Sequence, residues 1–256
     1  MVKMKLYNTF NIKKNHKNSI ILIGNFDGLH LGHQKLFRLA KKYKKKYSSK
    51  IGVLTFEPMP KMFFNSNLKN FRLSNLNQKI ENLGKLNVDF VITKKFNRKF
   101  SKTKSISFIK ETLGRKLSPK FIFVSNNFRF GNKREGNVHL LKKYEQSFNY
   151  KVVKPEPLIK SKKIVSSSLI RNLLEKGQLN KANNLLKRNV IRRNLNFENI
   201  CITKHVRSWS GVLVITVVLK PDEFSCSYNC HYCPNETIEN GATCDMPRSY
   251  LSTEDA

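Results

Sequence analysis

From about residue 19 the chain alternates two hydrophobic periods. Short β-branched runs give way to longer stretches in which apolar residues return every three or four positions. "SIILIGNF" holds four consecutive apolar residues, Ile20 to Ile23, as a strand buried on both faces requires. "LGHQKLFRLAKKYKKKY" then sets Leu31, Leu36 and Leu39 on one side of a helix and lysines on the other. The same alternation repeats. Strands are predicted at "KIGVLTF", "DFVITKKF", "KFIFVS" and "YKVVKPEPL", and helices at "SNLNQKIENLGKL", "SISFIKETLGRKL" and "NVHLLKKYEQSF". Two closing helices follow, "SSSLIRNLLEKG" and "LNKANNLLKR". Ser74 is the expected N-cap of the second helix, and Gly177 suits the end of the first closing one. Strand and helix alternating at this spacing predict an α/β fold with right-handed crossovers and an open parallel sheet. Ligands of such sheets bind beyond the carboxyl ends of the strands.

Composition divides the chain. Residues 1–190 hold 43 Lys+Arg against 9 Asp+Glu, whereas residues 191–256 hold 6 against 8. All five cysteines and the only tryptophan, Trp209, fall in the second piece. A domain boundary is therefore expected near residue 190. The overall net charge of +32 raises a nucleic-acid partner. Lys, Asn, Ile and Phe are all abundant, however, and all have A/T-rich codons. Base composition alone can produce such a charge, and this reading is favoured over a nucleic-acid surface because the chain carries no nucleic-acid-binding motif. No run of about 18 apolar residues is present, so no membrane span is expected. The N-terminus lacks the apolar core of a signal peptide, which predicts a cytoplasmic protein.

The first strand runs into "GNFDGLHLGH", Gly24 to His33. Gly24 and Gly28 let the backbone turn tightly. His30 and His33 fall in the first turn of the next helix, three residues apart and on one face. That turn also offers unpaired backbone N–H groups and the positive end of the helix dipole, so the pair points to phosphate chemistry. A zinc site is less apt, because no third ligand is evident. "SSSLIR" opens a later helix. Ser166, Ser167 and Ser168 can cap it and offer hydroxyls to phosphate, and Arg171, three residues on, can form a bidentate pair.

These stretches carry a resemblance. "HLGH", with Gly32 between the imidazoles, is similar to the H-x-G-H signature of the nucleotidyltransferase superfamily, and "GNFDGLHLGHQKL" resembles the start of the bacterial FAD synthetases. "TFEPMPKMFF" resembles that family's F-[DE]-P-H-P segment, "VSNNFRFGNKREGN" its flavin loop, and "IVSSSLIRNLLEKGQLNKANNLL" its serine-led helix. Four motifs in order make the match specific. The resemblance implies a Rossmann-like nucleotidyltransferase fold and an FMN adenylyltransferase, moving AMP from ATP to FMN. ATP and FMN are then substrates, with Mg²⁺ bridging the phosphates. His30, His33, Asn127 and Arg171 become the implied catalytic set. Gly24, Asn25, Phe26, Asp27, Gly32, His33, the three serines and Arg171 would bind ATP. Asp27 would bear on ribose, on magnesium or only on the turn. Phe56, Pro58, Pro60, Asn127, Phe128 and Phe130 would flank the flavin. Met59, Ser125 and Lys187 depart from the family's His, Gly and Gly. A related nucleotidyltransferase with another acceptor, or a basic nucleic-acid-binding protein, are the alternatives.

Beyond residue 188 neither the Gly-rich segment nor the P-T-A-N run of a riboflavin kinase barrel occurs, so no kinase activity is expected. "CSYNCHYCP" instead spaces Cys226, Cys230 and Cys233 as a [4Fe–4S] cluster binding S-adenosylmethionine would need. The surrounding string resembles the opening of the radical SAM domain of the elongator catalytic subunit. A truncated segment, not an independent functional domain, is expected there; a genuine fusion, a truncated gene and an assembly artefact all fit.

Overall fold

The computed structural model describes residues 4–187 apart from 66, 69, 70 and 162. The expectations for residues 191–256, including the domain boundary, the cysteine cluster and the kinase question, lie outside the described residues. In chain order the elements begin with β1 (Lys5–Tyr7), β2 (Ile20–Ile23), α1 (Leu31–Tyr47), β3 (Ile51–Glu57) and α2 (Pro60–Phe64). There follow α3 (Leu76–Lys85), β4 (Phe90–Lys95), α4 (Arg98–Ser101) and α5 (Ser105–Ser107), which runs on into a π-helix, Phe108–Leu117. The remainder is β5 (Phe121–Phe123), α6 (Val138–Lys143), β6 (Lys151–Val153), a small hairpin of β7 (Ile159–Lys160) and β8 (Lys163–Ile164), α7 (Ser167–Glu175) and α8 (Leu179–Leu186).

Six strands form one sheet in the order β1-β4-β3-β2-β5-β6, every neighbouring pair parallel. The chain leaves β2 in one direction for β3 and β4, then crosses back to β5 and β6. The carboxyl end of β2 is thus flanked by two strands reached in opposite senses, the position where open α/β sheets bind ligands. All four residues of β2 are buried, because alternate side chains feed opposite cores. Ile20 and Leu22 pack with Leu36, Phe37 and Ala40 of α1. Ile21 and Ile23 pack with Phe108, Ile109, Leu113 and Leu117 of the π-helix. A third cluster joins α7 and α8 to Leu73 and Val165.

Several expectations shift. The sheet has a sixth strand, β1, too short to show a period and paired with β4. The last predicted strand shortens to Lys151–Val153, and helix 137–148 to Val138–Lys143. The N-cap of α3 is Asn75, which forms a capping box with Gln78, not Ser74. Ser74 is occupied elsewhere: its Oγ accepts from Gly28 N at 3.3 Å. Gly177, at φ +66°, ends α7 as expected.

Lys187 closes α8 in the left-handed region, φ 53°, where a Cβ is costly and glycine is not. Lys187→Gly is therefore expected to raise stability by about 0.5–1 kcal/mol. Urea unfolding of the two proteins checks this, and an unchanged or lower midpoint would show that the position is unstrained.

Candidate active site

The turn between β2 and α1 is built from unfavourable backbone. Phe26, Gly28 and Leu29 all have positive φ, and only the glycine adopts it freely. Such a turn persists only where its surroundings fix it. Asp27 supplies much of that fixation. Its carboxylate is nearly fully buried. Oδ1 accepts from the backbone N–H of Leu73 at 2.9 Å and of Ser74 at 3.3 Å. Oδ2 accepts from Arg171 Nη2 at 2.6 Å. The Asp27 carbonyl accepts from Ser167 Oγ at 2.9 Å. Of the three roles open to Asp27, the contacts it makes are those of the turn itself.

His30 is the N-cap of α1, which begins at Leu31 and so leaves His30 just outside the first turn. Its Nδ1 accepts from His33 N at 3.4 Å, which puts the proton of the neutral ring on Nε2. The two imidazoles stack, centroids 3.8 Å apart and planes 21° from parallel. Phe26 meets the His33 ring edge-on at 5.3 Å. Burial, reinforced by the Arg171 charge, lowers the His30 pKa to about 4. Burial, with His30 and Lys79 beside it, holds His33 well below its usual range. Both rings are therefore neutral at pH 7, and His33 Nδ1 is buried without a partner.

The serine-led helix arrives at the same turn. Ser166 caps α7 by accepting from Leu169 N. Ser167 holds Asp27, while Ser168 is exposed. Gly32 is required here, because a Cβ at that position would stand 2.9 Å from the carbonyl oxygen of Val165 and 3.1 Å from the His30 ring. Arg171 is held at three points: Asp27, the carbonyl of Phe71 at 2.8 Å, and the face of the Phe71 ring at 3.7 Å. The imidazole pair and the α7 mouth thus share one junction.

Sequence reasoning missed the other wall. Residues 71–79 hold the site from the α3 side. Besides Phe71, Leu73 and Ser74, Arg72 pairs with Glu57 and Lys79 reaches Thr55. Nothing in the helical period marks these contacts, which join residues far apart in sequence. No cluster of three His, Cys, Asp or Glu suited to a metal occurs among the described residues.

Beyond the end of β3 lies an aromatic slot of about 300 Å³. Phe56, Pro60, Phe128 and Phe130 line it as expected, joined by Phe96, Phe100 and Phe108, which the motifs did not indicate. Phe128 and Phe130 stack at 5.5 Å. Pro58 and Asn127 do not line the slot. Asn127 is exposed, within 3.1 Å of Ser125 Oγ, and lines an adjoining basic cavity of about 330 Å³ with Arg129, Arg134 and Lys142. No helix among the described residues is long and apolar enough to cross a membrane.

The chain is similar to known proteins. A bifunctional riboflavin kinase/FMN adenylyltransferase from Buchnera aphidicola (subsp. Acyrthosiphon pisum) is 36% identical over 228 residues, covering 84% of this chain and 73% of that protein. One of the same description from Haemophilus influenzae is 33% identical, covering 79% and 70%. A solved structure described as a macrolide-efflux protein from Streptococcus pneumoniae shares the fold, with a TM-score of 0.63 at 24% identity. That likeness covers 73% of this chain and 60% of the other. The profile of the FAD synthetase family matches residues 12–169, and the chain belongs to that family.

Proposed function

We propose that residues 1–190 form an FMN adenylyltransferase that transfers AMP from ATP to FMN, yielding FAD and pyrophosphate. The observation that carries this reading is the Asp27 junction, where two stacked imidazoles and the mouth of α7 meet beside an aromatic slot. An FMN phosphate oxygen attacks the α-phosphorus of ATP, and the bond to the bridging oxygen of the pyrophosphate breaks. The attacking phosphate is already ionised at neutral pH, so alignment and charge stabilisation matter more than a general base.

The chain's own groups fit those tasks. His30 offers Nε2–H as a neutral donor toward the α-phosphate, with His33 beside it. Gly24, Asn25, Phe26 and Gly32 form the floor under the nucleotide. Ser166, Ser167, Ser168 and Arg171 face the triphosphate, Arg171 through the N–H groups that Asp27 and Phe71 leave free. Magnesium enters with ATP as part of the substrate, held by phosphate oxygens and water. Phe56, Pro60, Phe128 and Phe130 suit a flat, largely apolar isoalloxazine. The slot favours flavin over an acceptor without a ring system. A cytoplasmic setting belongs to the same reading, since the reaction draws on ATP.

His33→Ala is expected to lower the rate of FAD formation from FMN and ATP–Mg at least tenfold, with an unchanged circular dichroism spectrum. Near-normal turnover would remove His33 from the mechanism.

The neutral imidazoles also set a pH dependence. The folded pKa of His30, about 4, lies below its ordinary 6.5. Stability from this group is fully present above pH 6.5 and is lost as pH falls from 6.5 towards 4. At pH 5 His30 is expected to cost on the order of 2 kcal/mol relative to pH 7.5. Urea midpoints at the two pH values check this, and His30→Gln should shrink the difference.

A further inference from the structure

Lys79 sits on α3 at the flank of its apolar stripe, three residues after Leu76 and four before Leu83, and is only 2% exposed. No other described lysine is buried. An ammonium taken out of water is costly unless a carboxylate pairs with it. Two carboxylates are near enough to attract it, Glu57 and Asp27, but Arg171 holds Asp27 and Arg72 holds Glu57 through Oε1, leaving Glu57 Oε2 buried without a hydrogen-bond partner. Neither forms an ion pair with Lys79. Its hydrogen-bond partner is Thr55 Oγ1, at 3.4 Å. Thr55 in turn donates to the carbonyl of Asn25 at 3.4 Å, in the turn above the imidazoles. With both histidines neutral, the cluster sets three basic side chains against two carboxylates.

We propose that Lys79 is a positioning residue for adenylyl transfer, holding a spare positive charge beneath the nucleotide turn and steadying that turn through Thr55 and the Asn25 carbonyl. This rests on the activity assigned above. The groups facing Lys79 from neighbouring elements are His33 on α1, Glu57 and Thr55 on β3, Asp27 in the turn and Arg72 before α3. A phosphate arriving over the turn supplies the negative charge that the cluster lacks. The gain is greatest when charge builds on the α-phosphate during transfer, so it falls on kcat more than on substrate binding. Burial acts against the ammonium in the free protein, and Arg72 adds to it. The lysine is therefore a cost to the empty fold that the reaction repays, as charged groups at catalytic sites often are.

The test compares wild type, Lys79→Met and Thr55→Val by thermal unfolding without ligand and by FAD formation from FMN and ATP–Mg. Methionine keeps the length and apolar stem of lysine, and valine keeps the shape of threonine. For Lys79→Met the expected result is an unchanged or higher Tm, kcat at least tenfold lower, and KM for ATP within threefold of wild type. Thr55→Val should lose at least threefold in kcat with the same KM behaviour. Wild-type kcat in Lys79→Met would overturn the proposal. So would a lower Tm in that variant, because the lysine would then be serving the fold. Wild-type turnover in Thr55→Val would overturn the link through the turn. If wild type itself makes no FAD, the activity assignment fails and the role of Lys79 falls with it.

Discussion

The site rests on one buried carboxylate. Asp27 gathers Arg171 from α7 and two backbone N–H groups from the loop before α3 onto a turn that its own dihedral angles disfavour. A buried carboxylate must be fully hydrogen-bonded or it destabilises the fold. Each of its contacts therefore also dictates position. They fix how α7, which enters some 140 residues later, meets the strand-to-helix turn. The third hydrophobic cluster, in which Leu73 meets Val165 and Leu186, seals the same junction with apolar area. Polar anchoring fixes the geometry, and apolar burial supplies most of the adhesion.

Charge is distributed in a way that suits a polyanionic substrate. The imidazoles are hydrogen-bond donors without charge, because burial and neighbouring cations keep protons off them. The positive potential comes from arginine and lysine side chains held behind the turn. In the proposed reaction this separates two tasks that one imidazolium would otherwise combine: local donation to a phosphate oxygen, and stabilisation of spreading negative charge. It also keeps both tasks available across neutral pH, since none of the groups needs to change protonation. The large surplus of surface lysine is a different matter, for those side chains are mostly exposed and screened within about 8–10 Å at physiological salt.

Periodicity exposed the scaffold well. The runs around Ile20, Ile51, Phe90, Phe121 and Lys151 are strands, and the serine-led helix and Gly177 stop fall where the local chemistry puts them. The motifs also placed His30, His33, Ser167 and Arg171 at one locus. What stayed hidden were contacts made by tertiary approach. Lys79 lies beside the apolar stripe of α3, between Leu76 and Leu83 in helical spacing, but only the fold of α3 over β3 reveals that its ammonium reaches Thr55. Ser74 looks like a cap by residue type, but its hydroxyl accepts from Gly28 N instead and the cap is Asn75. Phe96 and Phe100 complete the slot from the far end of β4, and no local pattern ties them to Phe128. Asn127 sits close to the slot in sequence, yet the loop turns it outward into the neighbouring basic cavity.

The three departures from the family pattern bear on packing and backbone. Met59 is buried at the N-cap of α2, where an imidazole would need a polar partner. Ser125 has no positive φ, so the backbone there does not demand glycine, and its hydroxyl lies within hydrogen-bonding distance of Asn127. Lys187 alone sits where the backbone favours glycine, and it lies at the far end of α8. The first two leave the turn, the imidazoles and Arg171 in place. The third adds local strain to the helix pair that shields Gly28 through Leu186. Its effect on the site is therefore indirect, through the stability of the α7–α8 pair packed at the junction.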